Sequence, residues 1–186
     1  MSPRHRKALD HLISGVRESG GFVLLTGEVG TGKTTLIRCL LAQLPDDVDS
    51  VLIFNPRLND VELLATICDE LRIDYPANTD SLKALVDALT EYLLAAHARE
   101  RRTVLIIDEA QNLTSKQMKT LVTRSGTGTK IVCLGNVEQI DTPSLTETTS
   151  GLTYVVDRFK HWRHSAHVTL RRGERSRLAD FASEVL

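Results

Sequence analysis

Cysteine is scarce in this chain. Cys39, Cys68 and Cys133 lie scattered inside apolar runs, and none forms a CxxC pair. That spacing argues against a disulfide framework and against a zinc site, and it reads as buried structural thiols. Aromatic side chains make up only 4% of the residues. A surface that stacks successive bases therefore has little to draw on beyond Phe159 and Trp162. Long apolar runs are missing, and no stretch approaches the ~20 residues of a membrane span. The start, Met1–Lys7, is basic, yet no apolar segment with a cleavage site follows. No signal peptide is expected, and a soluble, cytoplasmic protein is. An excess of one charge is also absent, the net being −1 over 186 residues. With 41% apolar and 25% charged residues, the composition excludes general disorder. The length suits a single domain, 1–186, around one core.

The small net charge hides an asymmetry. Between residues 157 and 178 stand Arg158, Lys160, Arg163, Arg171, Arg172, Arg175 and Arg177 against only Asp157 and Glu174. Such a segment faces either solvent or the phosphates of a nucleic acid, so RNA enters as a candidate partner. His161, His164 and His167 recur every three residues. The expected helix breaks between the last two and no acidic or thiol partner adjoins them, so they are not read as a metal site.

Helix-period segments alternate with short apolar runs, which predicts an α/β fold. Helices are expected over 4–19, 33–44 and 60–72, with Asp60 as the cap of the third. A fourth starts from Asp80 or Ser81 and runs to about residue 99. A fifth starts from a Thr114–Gln117 capping box and runs to Ser125, followed by helices near 150–162 and over 174–186. Strands are expected over 22–26, 51–55, 103–107, 130–134 and 167–170, with a polar loop over 141–149. Five strands joined by right-handed crossovers give a three-layer sandwich.

Two segments carry chemistry. Gly27-Glu28-Val29-Gly30-Thr31-Gly32-Lys33-Thr34 fits G-x-x-x-x-G-K-[ST], and it stands between an expected strand and an expected helix. Its glycines let main-chain N–H groups surround a phosphate chain, with the helix dipole adding positive potential. Lys33 offers a charge to the β- and γ-phosphates, and Thr34, followed by Thr35, offers a hydroxyl to Mg²⁺. The second segment, Val104-Leu105-Ile106-Ile107-Asp108-Glu109, ends a central strand at the sheet edge where open α/β folds bind ligands. Asp108 there suits Mg²⁺, and Glu109 suits the activation of a water. Asn136, at the end of the fourth strand, and Gln139 compete as γ-phosphate contacts. Arg171 and Arg175 follow the fifth strand, where either suits the neutralisation of transition-state charge.

These residues resemble two families at once. From about residue 4 to 113, the segments GGFVLLTGEVGTGKTTLIRCLLAQLP, FNPRLNDVELLATICDEL and RRTVLIIDEAQNL resemble the general secretion component A (ExeA-like) AAA+ ATPases. From about 104 to 186, IIDEAQNLT, TLVTRSGTGTKIVCLGNVEQIDTP, SGLTYVVDRFK and ERSRLADFA resemble the C-terminal half of PhoH-like ATPases. The two likenesses overlap at Ile107–Leu113, which points to a hybrid with its junction near 104–114. The resemblance implies a P-loop NTPase with a parallel five-stranded sheet of order 5-1-4-3-2; the helical lid of the secretion family has no counterpart in the sequence, so no separate lid domain is expected. It implies Gly27–Thr34 for phosphate, Asp108 for Mg²⁺ and Glu109 for catalysis. It assigns Asn136–Gln139 to γ-phosphate sensing and Arg175 to the late arginine.

The expected function is Mg-dependent hydrolysis of ATP to ADP and phosphate. ATP rather than GTP follows from the resemblance, since no N-K-x-D segment is present. An arginine from a second copy or from a protein partner often completes such sites. The alternatives are a non-hydrolysing, ATP-gated interaction module and a nucleic-acid-stimulated ATPase fragment.

Overall fold

The central strands carry apolar side chains on both faces, as a parallel sheet covered on each side requires. Residues 3–17, 20–54, 56–136 and 150–170 are described in the computed structural model of the chain. The strands are β1 (Gly21–Gly27), β2 (Val48–Ile53), β3 (Arg102–Ile107), β4 (Thr129–Gly135) and β5 (Ser165–Leu170). They form one sheet in the order β2-β3-β4-β1-β5, the expected 5-1-4-3-2 seen from the other edge. All pairings are parallel: Leu24 stands opposite Cys133 and His167, and Ile106 opposite Val132 and Leu52.

Alternation along the strands sends side chains to two separate cores. On one face α1 (Pro3–Arg17) and α2 (Lys33–Leu41) bury Leu9, Leu12, Leu36 and Leu40 against Val23, Leu25, Val104 and Ile106. On the other face lie α3 (Asp60–Glu70), α4 (Leu82–Ala98), α5 (Ser115–Arg124) and α6 (Gly151–Phe159). These helices bury Leu63, Leu85, Met118 and Leu152 against Leu24, Leu105, Ile107 and Cys133. The three thiols are free, and Cys68 and Cys133 are buried. Desolvation raises the pKa of both, that of Cys68 to about 11, which leaves them unreactive.

Several boundaries differ from expectation for local reasons. Asn59, not Asp60, caps α3: its side chain accepts from the N–H of Val61 and Glu62, and Glu62 accepts from the Asn59 N–H at 2.8 Å. Asp60 is already helical and pairs instead with Lys116 at 2.6 Å. Strand β2 begins at Val48 rather than 51, because Asp49 is held by Arg101 and by the Tyr92 hydroxyl at 2.9 Å. The Arg101 hydrogen bond keeps the Asp49 carboxyl below the usual aspartate pKa. Helix α6 stops at Phe159, and β5 starts at Ser165, whose hydroxyl donates to the carbonyls of Phe159 and Trp162. Ser81 caps α4, and the Thr114–Gln117 capping box forms as expected. The expected polar loop 141–149 and helix 174–186 lie outside the described residues.

Candidate functional site

The loop between β1 and α2 shapes its own cradle. Gly30 and Gly32 adopt left-handed backbone, with φ of 77° and 84°, and Gly32 is the N-cap of α2. A side chain at Gly32 would also meet His5, whose Nε2 stands 2.9 Å from an ideal Cβ there. His5 lies near the start of α1 and bonds the Thr31 carbonyl at 2.7 Å. Thr31 turns its hydroxyl back to the Glu28 carbonyl at 2.8 Å. The ammonium of Lys33 donates to the carbonyls of Gly27 at 2.5 Å and Glu28 at 2.8 Å. Burial pulls the pKa of Lys33 below the ordinary lysine value, while Asp108 and Glu109 act the other way.

The carboxyl end of β3 faces this loop. The Thr34 hydroxyl, at the head of α2, donates to Asp108 Oδ2 at 3.2 Å. The Asp108 main-chain N–H is anchored on the Ile53 carbonyl of β2 at 2.9 Å. Glu109 is one of the few non-glycine residues with positive φ, at 53°, a conformation that costs on the order of 1–2 kcal/mol. Its N–H is held by Asp108 Oδ1 at 3.0 Å, and its carbonyl accepts the Asn112 N–H at 2.9 Å. The chain then turns through a short 3₁₀ segment, Ala110–Asn112, where the sequence predicts no element.

A cleft of about 390 Å³ opens between these parts. Val29, Gly30, Gly32, Lys33, Thr34 and Thr35 line one side, and Asp108, Glu109, Gln111, Gly135 and Asn136 the other. Gly27, Glu28 and Thr31 stand behind the lining and hold it through their carbonyls and the Thr31 hydroxyl. The structure therefore brings Lys33, Thr34, Thr35, Asp108, Glu109 and Asn136 together. Gln139, Arg171 and Arg175 lie outside the described residues. Gln111 was not singled out from sequence, although it sits inside the Asp108–Leu113 segment that carries both likenesses. Among the described residues no group of three or more His, Cys, Asp or Glu is placed to hold a metal ion. The Thr34–Asp108 oxygen pair is the donor set at the cleft.

A parallel sheet of this order, with such a loop ahead of α2 and an acidic pair after β3, defines a P-loop nucleotide-binding protein. The chain belongs to the AAA domain family, whose model matches residues 16–140. The model of the PhoH-like protein family matches residues 99–182. The two matches share 99–140, which contains the 104–114 segment where the two likenesses meet. General secretion pathway protein A of Aeromonas hydrophila is 52% identical over 113 residues, covering 61% of this chain and 20% of that protein. Protein PhoH2 of Bacillus subtilis (strain 168) is 37% identical over 198 residues, covering 92% of this chain and 44% of that protein. The chain thus spans less than half the length of either relative. Among solved structures, Cdc6p from Pyrobaculum aerophilum superposes with a TM-score of 0.63 at 20% identity, over 89% of this chain and 45% of that one. The Pif1 helicase from Candida albicans gives 0.56 at 20% identity, over 93% and 40%. Among the described residues no helix is long and apolar enough to cross a membrane.

Proposed function

We propose that the chain binds ATP with Mg²⁺ and hydrolyses it to ADP and phosphate, in the cytoplasm. The observation that carries this reading is the meeting of the Thr34 hydroxyl and the Asp108 carboxylate at 3.2 Å, with Lys33 and Glu109 lining the same cleft. Two oxygen donors without a fuller protein cage suit Mg²⁺, which keeps waters and phosphate oxygens as its remaining ligands. When bound, the ion neutralises charge on the β- and γ-phosphate oxygens.

Main-chain N–H groups of the Gly30–Thr34 stretch and the α2 dipole receive the phosphates. Lys33 leaves the Gly27 and Glu28 carbonyls for the β- and γ-phosphates. Thr34 and Asp108 would hold the metal. Glu109 accepts the proton of a water that attacks the γ-phosphorus, as the bond to the bridging oxygen of ADP breaks. Asn136 contacts the γ-phosphate from the end of β4, with Gln139 as the competing residue. Arg175, or an arginine from a second copy or a protein partner, neutralises the charge that builds on the transferring group.

Glu109→Gln tests the reading. Phosphate release is expected to fall by about 10²–10⁴-fold, the usual worth of a general base, with ATP affinity retained in calorimetry. Normal hydrolysis by this variant overturns the assignment of Glu109. A wild-type protein that binds ATP and releases no phosphate favours a non-hydrolysing, ATP-gated interaction module.

A second reading, a nucleic-acid-stimulated ATPase, is favoured by α6 and the segment that follows it. Trp162 is exposed, packs edge-on against His164 and tilts against Phe159. Arg158 lies 4.0 Å over the Tyr154 ring. Aromatic faces beside Arg158, Lys160 and Arg163 suit stacked bases and their phosphates. Single-stranded RNA added to the phosphate-release assay is expected to raise the rate, and salt to weaken binding. No stimulation and no salt-sensitive binding remove this reading.

A further inference from the structure

We infer that Gln111 is a positioning residue for hydrolysis, setting Asn136 in place on the same wall of the cleft as Glu109. The inference rests on the proposed reaction and adds a residue to it. Gln111 is only 2% exposed, yet it lines the cleft. Its Oε1 accepts the main-chain N–H of Asn136 at 3.3 Å, a link across 25 residues of sequence.

The contact is built from both sides. A Cβ at Gly135 would stand 2.6 Å from Gln111 Oε1 and 2.7 Å from Leu152 Cδ2. The amide oxygen therefore reaches Asn136 because residue 135 has no side chain. Behind Gln111, the fully buried Ser150 donates its hydroxyl to the Gln111 carbonyl at 2.8 Å. One turn further, the Gly151 N–H donates to the Leu113 carbonyl at 2.8 Å, and Thr114 bridges Ser150 in antiparallel fashion. The turn that carries Gln111 thus begins at Glu109 and is fixed on its far side by the start of α6. Gln111 has no titratable proton to give, so it is not a general acid or base. Through its amide oxygen it acts on Asn136, tying the end of β4 to the turn that starts at Glu109.

The test pairs Gln111→Met, which keeps length and removes the accepting oxygen, with Asn136→Ala and the double variant. Gln111→Met is expected to lower kcat by about tenfold to hundredfold, as a misplaced group does. KM for ATP and affinity for a fluorescent ADP are expected to stay within about twofold. The double variant is expected to be no slower than the slower single one, because Gln111 acts by placing the Asn136 side chain, which Asn136→Ala has already removed. A Gln111→Met kcat within about twofold of wild type, or losses that multiply in the double variant, overturns the inference. Hydrogen exchange of the Asn136 amide in the unsubstituted protein needs no variant and no turnover. A protected amide is expected, and one that exchanges at the rate of an open loop overturns the inference even if Gln111→Met fails to fold. Glu109→Gln with full activity would instead sink the proposed reaction, leaving the amide measurement to judge Gln111 by itself.

Discussion

The two walls of the cleft are held by different means. The loop wall, residues 27–35, is held mainly by its neighbours in sequence: Lys33 to the Gly27 and Glu28 carbonyls, Thr31 to Glu28, and two left-handed glycines. From far along the chain it is met by His5 on the Thr31 carbonyl and by Asp108 on the Thr34 hydroxyl. The far wall is assembled from three distant segments, around residues 108–114, 135–136 and 150–152. Side chains joined to main chain hold them together: Gln111 to Asn136 and Ser150 to Gln111. A wall built locally depends on backbone conformation. A wall built from remote parts depends on packing, and substitutions should separate the two.

Lys33→Ala should break the loop wall in function alone. Nucleotide affinity is expected to fall by about 100-fold, on the scale of charge-assisted bonds worth ~1.5–3 kcal/mol, with the thermal midpoint within a few degrees of wild type. Calorimetry and a melting curve read the two effects, and unchanged affinity refutes the role of the loop. Gly135→Ala should break the far wall in stability. A methyl group forced against Gln111 and Leu152 is expected to cost about 1–3 kcal/mol, seen as a lower urea midpoint. The same midpoint as wild type would mean that the wall yields more easily than its spacing implies.

The smallest effect belongs to β2, away from both walls. The folded-state pKa of Asp49 is lowered, chiefly by its hydrogen bond from Arg101. Its contribution to stability is therefore present above the usual aspartate pKa of about 3.9 and is lost as pH falls through the lowered folded value. Asp49→Asn is expected to lower the urea midpoint slightly at pH 7 and to narrow the gap from wild type at pH 3. An equal gap at both pH values would show that the carboxylate charge plays no part.

The same contrast explains what could be read in the sequence. Gly27–Thr34 and Asp108-Glu109 were legible because each is short, contiguous and bound to a strand end. The order of the sheet came with the family likeness, since periodicity alone does not decide which strands adjoin. Gln111 was not legible as a functional residue. Its significance depends on Gly135 and Ser150, and nothing local marks a glutamine whose partner lies 25 residues away. The cap of α3 lies one position before the expected Asp60 because Asn59 and Asp60 are both good caps. The choice fell to Asn59, whose extended backbone allows reciprocal bonds with Glu62, while Lys116 draws Asp60 aside. The early start of β2 follows from the Asp49–Arg101 contact, which joins residues far apart in sequence.

The grip of Lys33 on its own loop has one more consequence. Because the ammonium already rests on two carbonyl oxygens, a ligand does not fill an idle charge but must outbid a satisfied one. The loop is thus closed on itself before any anion arrives, and an entering anion exchanges one set of oxygen partners of Lys33 for another.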